Sequence, residues 1–379
     1  MLAVIIYSIL TLGYVLLITA YVKGWKLQEN FTVPDTYIPH TSISVIIPAR
    51  NEACNINACM DAILAQEYPS ELLEIIVVDD YSEDNTVGIV KAYKDTRVRC
   101  LILAEYLDEH NKITAFKKAA LAAGIAQSKG SLIITTDADC TAPALWLMNM
   151  VALFELQQPA MIVAPVIFSD RKDILGIFQL IDFMSMQGIT AAAHQLNMGN
   201  MCNGANLAFS RSSYEAVNGY KGIDHLSSGD DYLLMMKISA SFPGKVAYLK
   251  SHNAIVSTPP QPSWGAFLQQ RIRWASKSGK YNDNRLTAIL ILVYLFNISF
   301  VGIIVAGLFH PVLLYLATAM LVIKIVAEYT LLRLVAAFFE KAWVLKYLPI
   351  LQPLHIIYIV LAGFMGFTGS YKWKGRSVK

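Results

Sequence analysis

The chain has 379 residues, of which 55% are hydrophobic, and its mean hydropathy is +0.45. This composition is too apolar for an ordinary soluble domain, so we expect membrane segments. A net charge of +3 is too small to indicate nucleic acid as a partner, and five cysteines without a CxxC pair suit reduced cytosolic thiols better than disulfides or a zinc site.

The N-terminal run LAVIIYSILTLGYVLLITAYV, residues 2–22, carries no charge. A helix of that length crosses a hydrocarbon core of ~30 Å. A signal peptide is the alternative, but no basic segment precedes the run and no small-residue cleavage site ends it, whereas Lys23 and Lys26 follow it. We therefore predict a retained transmembrane anchor over residues 1–24.

Strand-like and helix-like patterns alternate over residues 40–285, which we predict to be one domain. The apolar runs typical of strands are SISVIIPA, LEIIVVDD, VRCLIL, SLIITTDAD and AMIVAPVIF. The helical patterns between the first four are NINACMDAILAQ, NTVGIVKAYKD and ITAFKKAALAAGIAQS. This order predicts an α/β fold with a mostly parallel sheet covered on both faces, and a ligand site at the carboxyl ends of its strands.

Polar residues follow three of these strands, in ARNEACN, DDYSEDNT and DADC. Asp79 and Asp80 directly follow the apolar run IIVV, which favours a role in the site. An acidic residue before a helix is commonly an N-cap, and that alternative stays open for Ser82, Asp84 and Asn85.

Asp137 and Asp139 end the fourth run and stand one residue apart. Because an extended chain alternates its side chains, both carboxylates project to the same side. They repel each other unless a cation lies between them or one is protonated. Mg²⁺ or Mn²⁺ is suited to this position, since it takes one or two carboxylates and completes its shell with water and phosphate oxygens. We therefore predict a metal at Asp137 and Asp139 that neutralises a diphosphate.

We predict two to three transmembrane helices in residues 286–371, followed by a basic tail, residues 372–379. Residues 286–309 and 347–371 carry no charge and are long enough to span a bilayer. The apolar run between them contains three charged residues, Lys324, Glu328 and Arg333. Lys324 and Glu328 are four residues apart, so they can pair along one helix face.

Basic residues beside membrane helices tend to stay in the cytosol, which places Lys23, Lys26 and the run from Arg271 to Arg285 there, together with the middle domain. Three spans after that domain would leave the basic tail outside. Either one C-terminal segment lies in the interface or re-enters, or the charge rule fails for the tail.

The ordered set SVIIPARNE, IIVVDDYSED, KKAALAAGIAQSKG, DADC, GDD and QRIRW resembles the membrane-bound family 2 glycosyltransferases. That group includes ceramide glucosyltransferase and the synthases of cellulose, hyaluronan and poly-N-acetylglucosamine. The resemblance covers residues 43–277 and implies a GT-A nucleotide-diphospho-sugar transferase domain, flanked by one N-terminal and two to three C-terminal transmembrane helices.

On the donor side, the resemblance implies that the first two strand ends hold the nucleoside, and that Asp137 and Asp139 form a DxD motif for ribose, diphosphate and metal. Lys117 matches a lysine expected near the donor phosphates. A glycine usually precedes that lysine, whereas Phe116 stands here, and Lys118 is the adjacent alternative. The implied donor-binding residues are Arg50, Glu52, Asp79, Asp80, Lys117, Asp137, Asp139, Gln270, Arg273 and Trp274.

On the acceptor side, the usual Glu-Asp pair reads Asp230-Asp231. The second acid matches the catalytic base of the family, so Asp231 is expected to take the proton of the acceptor hydroxyl as its oxygen attacks the sugar carbon opposite the departing diphosphate. The alternative is that both acids form the cap and first turn of a helix. Asn203 and Asn206, in CNGANLAFS, resemble the segment near the acceptor.

The QxxRW motif of the family falls on Gln270, Arg273 and Trp274, which share a helix face at this spacing. A planar guanidinium suits a pyrophosphate, and an indole offers a flat apolar face to a sugar ring or a lipid. The alternative is an interfacial aromatic residue beside a snorkelling arginine, and both interpretations can hold together.

The sequence thus predicts an inverting glycosyltransferase that moves a sugar from a nucleotide diphosphate, expected to be a uridine one, to a lipid acceptor at the cytosolic membrane face. A lipid is preferred to a growing glycan because few C-terminal helices are available to build a translocation pore. The alternatives are a processive polysaccharide synthase that extrudes its polymer and a non-catalytic membrane subunit that binds sugar nucleotides.

Overall fold

The computed structural model of the protein describes residues 2–107, 115–199, 201–226, 228–276, 283–368, 371–373 and 376–378. The chain divides into two compact units. The helical unit comprises Met1–Gln28, Asp170–Asn200 and Pro260–Lys379, and the sheet unit comprises Glu29–Ser169 and Met201–Pro259. The interval 40–285 is therefore shared between the units, because two of its segments cluster with the helical unit.

The sheet unit consists of strands and short helices in alternation. Its described strands are β1 (Ile43–Ala49), β2 (Leu73–Asp79), β3 (Val98–Ile102), β4 (Leu132–Thr135), β5 (Met161–Val163), β6 (Val166–Phe168), β7 (Leu207–Ser210), β8 (Val246–Tyr248) and β9 (Val256–Thr258). Its described α-helices are α2 (Ile56–Leu64), α3 (Thr86–Ala92), α4 (Phe116–Gln127), α5 (Trp146–Gln157), α7 (Arg211–Ala216) and α8 (Asp230–Ser241).

Seven of these strands form one sheet in the order β3-β2-β1-β4-β7-β5-β8. β1 is parallel to both β2 and β4, β2 is parallel to β3, and β5 is parallel to β8. β7 alone among these pairs runs antiparallel, to both β4 and β5. β6 and β9 form a separate parallel pair. The prediction of an α/β fold with a mostly parallel sheet is confirmed.

The sheet is buried because its strands are apolar on both faces. In β1 all residues but one are buried, and β2 is buried from Ile75 to Asp79. Helix α4 packs on β1 and β2, and Gly124 permits the close approach. A Cβ atom at that position would come within 2.7 Å of Ile46 Cγ2 and 2.9 Å of Val78 Cγ2. Helix α4 is thereby seated closely on the sheet around Gly124.

The run AMIVAPVIF, predicted as one strand, is divided at Ala164 and Pro165 into β5 and β6. Proline has no N–H group to donate to a strand neighbour. The carbonyl of Pro165 instead accepts bonds from Val256 N, at 3.1 Å, and from Asn206 Nδ2, at 2.7 Å. The chain therefore changes partners here, and β6 leaves the large sheet to pair with β9.

The helical unit is built from long apolar helices. Its described α-helices are α1 (Leu2–Leu27), α6 (Ile174–Leu196), α9 (Trp264–Ala275), α10 (Asn284–Gly307), α11 (Val312–Phe338) and α12 (Leu348–Thr368). The tail forms an antiparallel pair, β10 (Tyr371–Trp373) and β11 (Arg376–Val378), and the rest of the predicted basic tail lies outside the described residues. One N-terminal and three C-terminal helical stretches of this unit are long and apolar enough to span a membrane, in agreement with the predicted one N-terminal and two to three C-terminal spans.

Five described helical stretches are long and apolar enough to cross a membrane, and α6 is the one that the sequence prediction missed. β5 precedes α6 in the chain, β7 follows it, and these two strands pair with each other. The chain that leaves the sheet unit after β6 and passes through α6 therefore returns to the same sheet at β7.

A polar cluster is buried where α1, α11 and α12 meet. Lys324 pairs with Glu328 one turn further along α11, as their spacing predicts. The ammonium of Lys324 also donates to Gln352 Oε1 at 2.9 Å, and Glu328 accepts bonds from Gln352 and the hydroxyl of Tyr14. Because a buried charge is costly unless it is paired and hydrogen-bonded, these partners make the two charges tolerable inside the helix bundle.

Candidate active site

The carboxyl ends of β1, β2 and β4 meet at one edge of the sheet, as expected for parallel strands. The last residues of β1 and β2, Ala49 and Asp79, are direct partners. The next residue, Asp80, donates its N–H to the carbonyl of Ala49 at 2.8 Å. β4 ends two residues before Asp137. The polar residues that follow these strands therefore stand at neighbouring positions of the same edge.

Arg50 connects the loops that follow β1 and β2. Its Nη1 donates to the carbonyls of Asp80 and Tyr81, at 2.9 and 3.0 Å. Asn51 and Tyr81 adopt left-handed backbone conformations, with φ of 53° and 56°, which are uncommon for residues other than glycine. Asp79 is buried and accepts the N–H of Ser82 at 3.3 Å. The predicted nucleoside-side residues are thus joined into one structured loop pair.

Of the three residues whose capping role the sequence left open, Asn85 is the N-cap of α3 by position, without a side-chain cap bond, and Asp84 precedes it and orders the turn. The carboxylate of Asp84 accepts the N–H of Thr86 and the N–H of Ala53, each at 3.0 Å. Desolvation alone would raise the pKa of Asp84, but the bonds from the Thr86 hydroxyl and these two N–H groups outweigh it and lower the pKa. Ser82 Oγ accepts the N–H of Asn51 at 3.0 Å, so it also joins the two loops.

Glu52 begins the turn into α2. It is buried, its N–H donates to the hydroxyl of Thr86 at 2.8 Å, and its Oε2 accepts from Asn55 Nδ2 at 2.8 Å. Its backbone and its carboxylate therefore both take part in ordering the loop after β1.

Lys117 is the centre of the acidic cluster. Its Nζ lies 2.7 Å from Asp137 Oδ1 and 3.4 Å from Asp230 Oδ2. Burial by itself would lower the pKa of Lys117, but the carboxylates of Asp137 and Asp230 together outweigh it and raise the pKa. Lys117 is therefore a charged ammonium between the DxD segment and the two acids of α8.

Asp231 is held in the first turn of α8. Its Oδ2 accepts the N–H of Gly204 at 3.1 Å, and its Oδ1 accepts the N–H of Tyr232 at 2.7 Å. The carbonyl of Gly204 accepts the hydroxyl of Thr135, the last residue of β4, at 3.1 Å. One peptide segment thus connects the strand before the DxD motif with Asp231. The helix-start interpretation of Asp230 and Asp231 holds alongside the cluster, because α8 begins at Asp230.

Asn206 is a structural residue, in contrast to the acceptor-side expectation. It is fully buried, and its Oδ1 accepts the indole N–H of Trp146 at 2.9 Å. Its Nδ2 donates to the carbonyls of Pro165 and Ala254, at 2.7 and 2.8 Å. Both amide hydrogens and the carbonyl are used inside the core, so the side chain is not available to a substrate. Asn203 is partly exposed, and its Oδ1 accepts the N–H of Ala205 at 3.1 Å.

The donor set suits a hard divalent cation that shares its shell with a substrate. β4 ends at Thr135, so Asp137 and Asp139 lie in the turn that follows the strand and not on an extended strand as predicted. The carbonyl of Asp137 accepts the N–H of Cys140 at 3.1 Å across this turn. Both aspartates are partly exposed, and Ala138 between them is buried. Within the described part of the chain, no three His, Cys, Asp or Glu side chains are grouped to hold a metal. Mg²⁺ and Mn²⁺ fit such a site, because they need only one or two protein carboxylates when phosphate and water supply the rest.

The neighbouring thiols do not compete as metal ligands. Burial, followed by the negative charges of Asp139 and Asp137, raises the pKa of both Cys59 and Cys140. Because only the thiolate is a strong ligand, neutral thiols leave the carboxylates as the metal-binding groups.

The QxxRW residues lie on α9, in the helical unit, and the arginine of this helix that is buried is Arg271, which lies inside the motif but is not one of its three defining residues. Its Nε and Nη2 both donate to Asp182 Oδ2, at 2.9 and 2.6 Å, and its Nη1 donates to Gln270 Oε1 at 2.6 Å. Its guanidinium lies 4.2 Å from the ring centre of Trp274. Two motif residues therefore surround Arg271. Sequence reasoning missed Arg271 and Asp182, since no local signal pairs residues so far apart in the chain.

The chain matches the family model described as Glycosyl transferase family 2 over residues 44–217, and the one described as Glycosyl transferase family group 2 over residues 132–366. The glycosyltransferase AglE of Haloferax volcanii is 30% identical over 231 residues, 61% of this chain and 71% of that protein. An N-acetylglucosaminyltransferase of Rhizobium sp. (strain N33) is 28% identical over 304 residues, 73% of this chain but only 63% of that protein.

A solved mannosyltransferase from Pyrobaculum calidifontis, in complex with GDP-Man and Mn²⁺, has a similar fold. The TM-score is 0.58 at 20% sequence identity, and the match covers 96% of this chain and 98% of that protein. At this identity the likeness establishes the shared fold.

Proposed function

Because the chain belongs to glycosyltransferase family 2, we propose that it is a membrane-embedded inverting glycosyltransferase. In this proposal it transfers a sugar from a uridine diphosphate sugar to a lipid acceptor at the cytosolic face of the membrane. The observation that carries the proposal is the arrangement around Lys117, where one ammonium contacts both Asp137 of the DxD segment and Asp230, the neighbour of Asp231.

This arrangement supports transfer because it puts the two halves of the reaction within reach of each other. Asp137 and Asp139 would hold Mg²⁺ or Mn²⁺, which when bound supplies positive charge to the leaving diphosphate. Lys117 adds a second positive charge beside Asp137, where a donor phosphate can accept its N–H groups. In support, the Pyrobaculum mannosyltransferase was solved with Mn²⁺ and a nucleotide sugar.

We assign Asp231 as the general base. The N–H groups of Gly204 and Tyr232 orient its carboxylate, and a carboxylate oxygen has further lone pairs that can accept the proton of an acceptor hydroxyl. Because Lys117 joins the donor-side carboxylate of Asp137 to Asp230, the residue next to the base, the attacking hydroxyl and the sugar can be held in line. Such positioning is a large contribution to group transfer.

The lipid acceptor and the cytosolic face are supported by the membrane helices. We infer that α6 does not cross the membrane, because β5 and β7, the strands of the large sheet on either side of it in the chain, pair with each other. The four remaining candidate spans, in α1, α10, α11 and α12, are few for a pore, which favours a lipid over an extruded polymer. The basic residues Lys23 and Lys26 after α1 favour a cytosolic position for the chain that follows. Gln270, Arg273 and Trp274 remain proposed donor-side residues, and Arg50, Glu52, Asp79 and Asp80 remain proposed nucleoside-side residues.

The test is to incubate the purified protein in detergent with labelled uridine and guanosine diphosphate sugars, Mg²⁺ or Mn²⁺, and a membrane lipid extract. We expect metal-dependent label from a uridine donor in the organic phase. Asp231→Asn should abolish it, whereas Asp224→Asn, in an exposed acid seven residues earlier, should not. Label in a large water-phase or insoluble product would support the polymer synthase instead. Transfer from no donor would support the sugar-nucleotide-binding subunit, and transfer from a guanosine donor would correct the nucleotide.

A further inference from the structure

Two adjacent lysines at the start of α4 make entirely different contacts. Lys117 reaches the acidic cluster. Lys118 is buried, with 2% of its surface exposed, and its Nζ donates to the carbonyls of Ile223, Leu226 and Ser228, at 2.9, 2.5 and 2.9 Å. Consecutive residues on a helix point in directions about 100° apart, which is why the two ammonium groups separate.

The contacts of Lys118 match the bonding capacity of an ammonium group. A lysine has three N–H donors and no acceptor, and the three carbonyls provide one acceptor for each. A buried charge is expensive unless polar groups replace its water shell, and hydrogen bonds from a charged donor are stronger than neutral ones. The segment that supplies these carbonyls is therefore bound firmly to α4.

That segment leads directly into the acids of α8. Ser228, the last residue held by Lys118, is followed by Gly229, whose φ of 79° turns the chain into the helix that begins at Asp230. A displacement of Ser228 would thus be passed to Asp230 and Asp231 through two or three peptide units. Since α4 is seated closely on the sheet at Gly124, Lys118 relates the start of α8 to the same sheet that carries the DxD segment.

We propose that Lys118 is a positioning residue for the general base. By holding three carbonyls ahead of α8, it sets the location of Asp231 relative to the donor carboxylates, and it does so without contacting a substrate. This inference rests on the proposed function, in which Asp231 takes the acceptor proton.

The chain offers a matched control in Lys237. This lysine is on α8, is partly exposed, and its Nζ donates to the carbonyls of Gly219 and Lys221, at 2.5 and 2.8 Å. It therefore also binds the segment between α7 and α8, but at the end that is far along the chain from Asp231. Replacing Lys237 therefore measures the effect of loosening that segment at a point far along the chain from Asp231.

The experiment compares Lys118→Met, Lys118→Arg and Lys237→Met in the full-length protein, using the labelled donor that the wild type accepts. We expect Lys118→Met to lower kcat by on the order of 10²-fold with the donor KM within about twofold, because a misplacement near 1 Å can cost that much in rate. Lys118→Arg retains a charged multiple donor and should recover part of kcat. Lys237→Met should keep kcat within about threefold of the wild type, since it acts at the far end of the segment.

Amide hydrogen exchange over residues 219–233 gives a second measurement that needs no activity. In Lys118→Met, exchange should accelerate in the described residues from Ile223 to Tyr232, while the β1 and β2 amides stay protected. If Lys118→Met exchanges faster but keeps its kcat, Lys118 is not a positioning residue. If its exchange is unchanged, Lys118 does not hold the segment from Ile223 to Ser228. A wild type that transfers no sugar would refute the proposed function, and the exchange data would still decide whether Lys118 holds the segment.

Discussion

Replacing Asp182 by asparagine tests the buried ion pair of the helical unit. Asp182 and Arg271 each have only 3% of their side chains exposed. Asp182 Oδ2 accepts two N–H groups of Arg271, at 2.9 and 2.6 Å, and its Oδ1 accepts the hydroxyl of Tyr358 at 2.5 Å. Asp182→Asn keeps the shape of the side chain but leaves the guanidinium charge without a counterion.

The expected loss of stability is large because the remaining charge is buried. Removing one partner of a buried pair costs about 3–5 kcal/mol. Asp170→Asn is the matched control, since Asp170 pairs with Lys341 at 2.8 Å in the same unit but 45% of its side chain is exposed. A pair at that exposure contributes about 0–1 kcal/mol.

The measurement is denaturant-induced unfolding of the full-length protein in detergent, followed by tryptophan fluorescence because Trp274 stacks on Arg271. The double variant Asp182→Leu with Arg271→Leu removes both charges and should recover most of the loss, since replacing a buried pair by apolar groups is often neutral. Equal losses for Asp182→Asn and Asp170→Asn, or a double variant no better than the single one, would refute this account of how α9 is held.

Three further predictions concern the sheet unit. Asn206→Ala leaves buried polar groups without a partner, among them the indole N–H of Trp146. The free energy of unfolding should fall by about 1–3 kcal/mol for each such group, and the donor KM should not change. A raised acceptor KM without a loss of stability would contradict this structural role. Lys117→Met should increase the thermal shift caused by Mn²⁺ alone, because the ammonium no longer competes for Asp137, and the absence of a larger shift would contradict that competition. Folding raises the pKa of Lys117, so its ion pairs stabilise the folded state fully below the unfolded pKa of about 10.4 and weaken only as the pH rises through the folded pKa. The difference in the free energy of unfolding between the wild type and Lys117→Met should therefore be the same at pH 6 and pH 9.

The features that the sequence determined are those with a local physical cause. Strands buried on both faces require continuous apolar runs, so β1 to β4 could be predicted from the sequence. Helices α1, α10 and α12 contain long uncharged runs, and α11 coincides with the apolar run that carries Lys324, Glu328 and Arg333. The pairing of Lys324 with Glu328 follows from the spacing of a helix.

Tertiary structure alone decided the features that depend on partners far away in the chain. Lys117 and Lys118 are indistinguishable by spacing, and only the carboxylates and carbonyls that surround them separate their roles. Nothing in the sequence around Asn206 shows that its side-chain carbonyl accepts the indole N–H of Trp146 in the core. The division of the apolar run at Ala164 and Pro165 depends on β9, which pairs with β6, and the return of the chain to the sheet after α6 depends on the pairing of β5 with β7. Local propensity describes how a segment prefers to fold, whereas these outcomes depend on which groups meet once the chain is compact.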